Sequence, residues 1–182
     1  MPISFMKFLY HPSFEEKCCI IVRIMDVQKA QAVAVQAAHK AGKCIERGFH
    51  ENLDSTMKTD PADVLTRIDI ESQTIINDTI ISAYPDHAFL GEEGGGGSLS
   101  DQYCWVVDPL DGTSNYVRRL PHVGCSIALF EHGVPILGVL HFPVFQSTYT
   151  AIKNHGAKKN DQVITVEACE RLEDAYVAEI IS

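Results

Sequence analysis

Trp105-Val106-Val107-Asp108-Pro109-Leu110-Asp111-Gly112-Thr113-Ser114-Asn115-Tyr116 is the stretch on which the reading of this chain turns. An apolar, strand-like run ends in Asp108, and Asp111 follows three residues later. Gly112 and Thr113 come next, and the polar residues behind them suit the opening of a helix. Upstream, a second short apolar run delivers Glu92 and Glu93. Carboxylates brought to two strand ends beside a glycine turn can bind a hard cation. Mg2+ takes carboxylate, carbonyl and water oxygens, and few of them come from the protein. The turn adds backbone N–H groups and a helix start, which favour phosphate. The two halves together point to metal-assisted phosphate chemistry.

Each part also has a plainer reading. Asp-Pro and Asp-Gly pairs are common turn formers. The strand before this pair and Thr113 after it make an isolated turn the poorer description. One carboxylate can bridge two metal ions, as a two-metal phosphoryl site requires, and the Leu110 carbonyl can serve the same cation. Adjacent side chains at a strand end point opposite ways, so one of Glu92 and Glu93 is expected at a metal and the other in solvent. Gly94 to Gly97 has neither the Lys-Ser/Thr ending of a P-loop nor the strand-to-helix setting of a dinucleotide site. It reads as a flexible surface linker. Lys58, Asp69 and Thr113 are supporting candidates: Thr113 can orient an attacking water if Asp69 accepts its hydrogen bond. Taken alone they read as a surface lysine and two helix caps. The histidines are scattered without zinc spacing and read as surface or packing residues. No GxSxG elbow occurs. A haloacid-dehalogenase-type pair would place its aspartates two residues apart, not three with a proline between.

The chain has 182 residues, enough for one domain or one and a part. Its apolar fraction of 46% is enough for a sizeable core. A formal charge of -9 disfavours nucleic acid as a main partner. The six cysteines form no CxxC pair and several sit in apolar runs, so they read as buried thiols of a reducing compartment. Lys7, Glu15, Glu16 and Lys17 interrupt the N-terminal region. Neither a signal peptide nor a membrane span is expected, and the location expected is cytoplasmic.

Residues 1–24 lack periodicity, whereas Met25-Asp26 opens a well-patterned helix, so the native start is expected near Met25. Val27, Ala30, Ala34, Ala37, Ala41 and Cys44 form one stripe, with Asp26 as its cap and Gly48 as its end. Asp60-Pro61 reads as a turn. A second helix is expected to begin near Thr66 or Asp69 and to run to Ala83, with Ile68, Ile75, Ile76 and Ile80 inward and Pro85 as its stop. The remainder reads as strands: His87 to Leu90, Tyr103 to Val107, a hairpin of Val123 to Phe130 and Pro135 to Phe142, then Thr148 to Lys153, Val163 to Val166 and Ala175 to Ile181. Two helices followed by many turn-linked strands predict an α+β fold with a largely antiparallel sheet.

Gly91-Glu92-Glu93 followed by the Trp105–Tyr116 stretch resembles the inositol monophosphatase family of Mg2+-dependent phosphatases, from about Met25 to Ser182. Arg119-Leu120-Pro121-His122 and Ser126-Ile127-Ala128-Leu129 continue the likeness, most of all to bacterial members. Lys58 with Pro61, Thr66 with Asp69, and His155-Gly156-Ala157 with Asn160 also fall where that family has matching residues, although Asp161 stands where glycine is usual.

The resemblance implies a layered αβαβα sandwich, of which residues 25–182 would supply the first helix pair and sheet, with the second half incomplete. It implies two or three Mg2+ ions. Glu92, Asp108 and the Leu110 carbonyl would hold the first, and Asp108 and Asp111 the second. Asp111 would also touch substrate hydroxyls, and Gly112 and Thr113 would offer N–H groups to phosphate. Glu92 and Thr113, the latter paired with Asp69, would help activate the attacking water, with Lys58 in support. The family's third aspartate, in a Trp-Asp-x-Ala-Gly motif, has no counterpart here, so the second metal site would lack a ligand. The substrate implied is inositol 1-phosphate or another small phosphorylated polyol. Histidinol phosphate, fructose 1,6-bisphosphate and a 3′-phosphonucleotide are alternatives within the same chemistry. A catalytically impaired fragment acting as an interaction module is the alternative outside it. The family is often dimeric, so a homodimer is a further implied partner, although no interface is legible in the sequence. An uncovered sheet face with exposed apolar surface is also expected.

Overall fold

The computed structural model describes residues 25–50 and 61–166, together with residues 171 and 173. The N-terminal extension, Lys58 and the strand expected at Ala175 to Ile181 lie outside the described residues.

The first helix, α1, spans Val27–His50. Asp26 starts it: its carboxylate accepts the N–H of Lys29 at 3.0 Å, the bond expected of an N-cap. Ala30, Ala34, Ala37, Ala38, Ala41 and Cys44 are all buried, so the alanine stripe is the packed face. Gly48 does not end the helix, which continues to His50. It lies against neighbouring side chains instead: a Cβ there would sit 2.6 Å from Ile68 Cδ1. The second helix, α2, spans Pro61–Ala83 and so starts earlier than expected. Pro61 is its first residue rather than part of a turn, a position where a missing N–H costs nothing. Ile68, Ile76 and Ile80 are buried on its inner face and Ile75 is partly so.

Among the described residues seven strands follow, in the sheet order β1-β2-β3-β4-β5-β6-β7. They are β1 (Ala88–Gly91), β2 (Tyr103–Asp111), β3 (Gly124–Glu131), β4 (Val134–Phe142), β5 (Ser147–Ile152), β6 (Gly156–Lys159) and β7 (Gln162–Ile164). Only β1 and β2 pair in parallel; the other neighbours are antiparallel. A short helix, α3 (Thr113–Val117), separates β2 from β3. His132 (φ 48°) and Gly133 (φ 78°) make the β3–β4 turn, as the hairpin signal required. Asn160 and Asp161 repeat this left-handed pair between β6 and β7, with φ 46° and 67°. Asp161 therefore occupies a conformation that glycine adopts freely and that Asn and Asp tolerate better than most residues.

Both helices lie on one face of the sheet, α1 over β3, β4 and β5, and α2 over β2. The core forms there, from Trp105 and Val107, Cys125, Ile127 and Leu129, and Leu137 and Val139. Trp105 is fully buried, and its indole N–H donates to His87 Nδ1 at 3.0 Å. His87 is stacked between Tyr84 and Tyr103, a packing role. Cys44, Cys104 and Cys125 are buried free thiols. Leu140, on the opposite face, is 42% exposed. Among the described residues no helix is long and apolar enough to cross a membrane.

Gly94 to Gly97 is less free than a linker. The Gly97 N–H donates to the Phe89 carbonyl at 3.0 Å, and a Cβ on Gly95 would come 2.6 Å from that same oxygen. The glycines let this loop lie flat on the outer edge of β1, which otherwise has an open row of backbone groups.

Candidate active site

The second strand does not stop at Asp108. It runs on to Asp111 through a register shift. Asp108 stands opposite Ser126 and Asp111 opposite Gly124, so Pro109 and Leu110 together oppose Cys125. This is a β-bulge, and a proline without an N–H is at home there. Its effect is one of parity. In a regular strand, residues three apart point to opposite faces. The extra residue cancels the odd step, and both aspartates end on the side of Ser126 and Gly124, away from the core side of Cys125 and Ile127. Within the bulge, the Leu110 N–H donates to Asp108 Oδ1 at 3.2 Å.

Glu92 follows β1, and its N–H donates to the Val107 carbonyl at 3.1 Å, which ties it to the strand that carries Asp108. Its carboxylate lies near enough to Asp108 to raise that residue's proton affinity. Burial first, then the charges of Glu92 and Asp111, push the Asp108 carboxyl up to about 6. Asp69 on α2 is only 7% exposed, and burial followed by Glu93, Glu92 and Asp108 pushes it up to about 7. Glu92 and Glu93 are both exposed, and the charges of both add to the rise at Asp69. Thr113 is exposed and is not among the groups that shift Asp69.

Gly112 precedes α3 with φ 87° and ψ 39°, a left-handed conformation that suits glycine. A Cβ there would also press on the His122 carbonyl at 2.7 Å. That carbonyl accepts a hydrogen bond from Asn115 Nδ2 at 3.0 Å, which fastens the Arg119–His122 loop to α3. The N–H groups that open a helix have no partner within it, and here they start beside Asp111.

The donor set is oxygen only, which suits Mg2+ rather than a softer metal. Its carboxylates raise one another's proton affinity, a repulsion that a cation would relieve. Among the described residues, no three His, Cys, Asp or Glu side chains stand close enough to enclose an ion as they are placed. The fit therefore rests on donor chemistry and charge.

The model of the inositol monophosphatase family matches residues 26–182. The chain belongs to this family.

Among curated inositol monophosphatase relatives, a protein named Nus factor SuhB from Pasteurella multocida is 41% identical over 139 residues, 74% of this chain and 51% of that one. An inositol-1-monophosphatase from Rhizobium meliloti is 39% identical over 148 residues, 80% of this chain and 55% of that one. The crystal structure of the SuhB protein of Bartonella henselae superposes with a TM-score of 0.70 at 34% identity, covering 80% of this chain and 57% of that one. The chain thus spans about half the length of the relatives it matches. As an inositol monophosphatase family member it carries Asp69, Glu92, Asp108, Asp111, Gly112 and Thr113 at one end of β1 and β2. Gln73 joins them without having been singled out in the sequence: its side chain accepts the Glu93 N–H at 3.0 Å. A lone glutamine in a helix belongs to no motif, and nothing in the sequence marked it.

Proposed function

We propose that this protein hydrolyses a small phosphomonoester with the help of Mg2+, inositol 1-phosphate giving inositol and phosphate. The observation that carries the reading is the mutual charge repulsion among Asp69, Glu92, Asp108 and Asp111, beside the Gly112–Thr113 turn that follows β2. Family membership supports it. Glu92, Asp108, Asp111 and the Leu110 carbonyl would hold Mg2+, which when bound supplies charge neutralisation and Lewis acidity. Gly112 and Thr113 offer N–H groups to the phosphate oxygens. Asp111 is proposed to receive the polyol hydroxyls. Water attacks phosphorus in line, the phosphorus–oxygen bond to the polyol breaks, and the leaving oxygen takes up a proton. Thr113, Glu92 and Asp69 are the groups proposed to orient the water and accept its proton. Lys58 is proposed to support the same site.

The test is phosphate release from inositol 1-phosphate with Mg2+, comparing wild type with Asp108→Asn. Loss of at least a hundredfold in the variant is expected, because Asp108 is proposed to serve both ions. Near-normal turnover by the variant would refute the assignment. The same assay on histidinol phosphate, fructose 1,6-bisphosphate and a 3′-phosphonucleotide ranks the substrate classes.

A second reading, an interaction module without turnover, has one observation in its favour: the half-exposed Leu140 on the sheet face that α1 and α2 leave open. Absence of Mg2+-dependent hydrolysis with retained binding to a protein partner would favour it.

A further inference from the structure

Three parts of the molecule meet at the last turn of α1. Gly48 has no side chain there, and a Cβ would overlap the Tyr116 hydroxyl of α3 while crowding Ile68 of α2. Tyr116 is buried, and its hydroxyl donates to the Ile45 carbonyl at 3.3 Å. Arg119 reaches back from beyond α3. Its guanidinium donates to the Gly48 carbonyl at 3.0 Å and also to the Phe49 carbonyl. It lies over the Phe49 ring, 5.9 Å from the centroid, and that ring meets Tyr116 edge-on at 5.8 Å. The last carbonyls of a helix lack partners within it and carry the negative end of its dipole, so a guanidinium is well suited to cap them. Arg119 holds φ 59° to do so. A non-glycine residue keeps that conformation only where its surroundings enforce it.

The contacts join elements that carry separate halves of the candidate site. Ile68 adjoins Asp69 on α2, and Tyr116 lies on the same short helix as Thr113. We propose that Arg119 and Tyr116 are positioning residues: by clamping α3 to the end of α1 they hold the Gly112–Thr113 turn in place beside Asp111. This fixes the phosphate-binding half of the site. The proposal rests on the phosphatase reading above, and neither residue touches substrate.

The test uses this chain with Arg119→Ala, Arg119→Lys and Tyr116→Phe. Three quantities are measured: Mn2+ affinity by electron paramagnetic resonance, Mg2+-dependent binding of inorganic phosphate by phosphorus NMR, and amide hydrogen exchange over residues 112–117. Arg119→Ala is expected to weaken phosphate binding at least tenfold and to speed exchange at 112–117 at least tenfold. Mn2+ affinity is expected to stay within twofold. Arg119→Lys should recover part of both losses, and Tyr116→Phe should show the same pattern at threefold or more. If Arg119→Ala does not fold, the other two variants decide the matter at that threefold level. Unchanged exchange at 112–117, or equal losses of Mn2+ and phosphate affinity, overturns the clamp. If wild type binds no phosphate with Mg2+, the phosphatase reading fails, while the exchange comparison still decides whether Arg119 holds α3.

Discussion

The Gln73 side chain on α2 accepts the backbone N–H of Glu93 at 3.0 Å, and its Nε2 donates to the Gly94 carbonyl at 3.3 Å. Both ends of one amide thus grip the turn that carries the two glutamates. Gly91 allows the approach, since a Cβ there would overlap Gln73 Oε1. Gln73 lies one helical turn after Asp69, on the same side of α2, so the helix that brings Asp69 also sets the turn. Gln73→Leu keeps the bulk and loses both bonds. It should lower Mn2+ affinity three- to tenfold and cost about 1–2 kcal/mol of stability. A Mn2+ titration beside a urea melt checks both, and an unaltered affinity would show that the turn holds itself.

Gly48→Ala sets two effects against each other. Alanine is the better helix former by about 1 kcal/mol. Its methyl, however, would collide with Tyr116 and Ile68 where three elements pack. Overpacking of this kind costs about 1–3 kcal/mol and is expected to win. Urea unfolding of the variant should show a net loss; a gain would mean that α3 moves aside freely.

His141 makes a pH-dependent contribution with a defined sign. Burial first, then the neighbouring His39, lowers its pKa from 6.5 to about 4. The His39 ring lies 4.6 Å away, and the Thr148 hydroxyl bonds His141 Nδ1 at 3.0 Å. Lys43 and Glu46 from α1, and Asp161 from the β6–β7 turn, line the same cavity. Between pH 6.5 and 4 the unfolded chain binds this proton and the folded one does not. The contribution is therefore present above 6.5 and lost as pH falls toward 4, by about 3 kcal/mol in all. Asp69 and Asp108 act the other way, because raised carboxyls favour the folded form as pH falls. The wild-type curve alone thus mixes the two. The stability difference between wild type and His141→Gln isolates the ring, and it should shrink as pH is lowered from 7 to 4. A constant difference would mean that the ring takes up its proton inside the fold.

Leu140 and Leu137 lie on one strand and on opposite faces, 42% and 3% exposed. Leu137→Ala should cost about 2–4 kcal/mol. Leu140→Glu should change stability by no more than about 0.5 kcal/mol. A large loss from Leu140→Glu would show that another part of the chain covers that face.

The sequence was most legible where one physical cause acts on a local pattern. The alanine stripe of α1 and the isoleucines of α2 follow helical spacing, and the β3–β4 hairpin follows from its turn residues. Asp108 and Asp111 stood out because a strand precedes the pair and Thr113 follows it, which an isolated turn does not need. It was least legible where one residue type serves two causes. Gly48 could stop a helix or admit a neighbour, and the neighbour, Tyr116, is far away in sequence. Pro61 could make a turn or begin a helix. The strand was expected to end at Asp108, yet Pro109 carries it on inside a bulge whose partner, Cys125, belongs to the next strand. The arrangement of Gln73, Arg119 and Tyr116 is wholly tertiary, and no spacing encodes it.

The sheet order repeats the chain order from β1 to β7. From β2 onward each new strand needs only the one made just before it. Among the described residues no later segment has to slip between strands already paired, so loop closure is cheap at each of these steps. Such a sheet can zip in the direction of synthesis, and it would already present the Asp108–Asp111 bulge, closed by β3, while downstream residues were still being added.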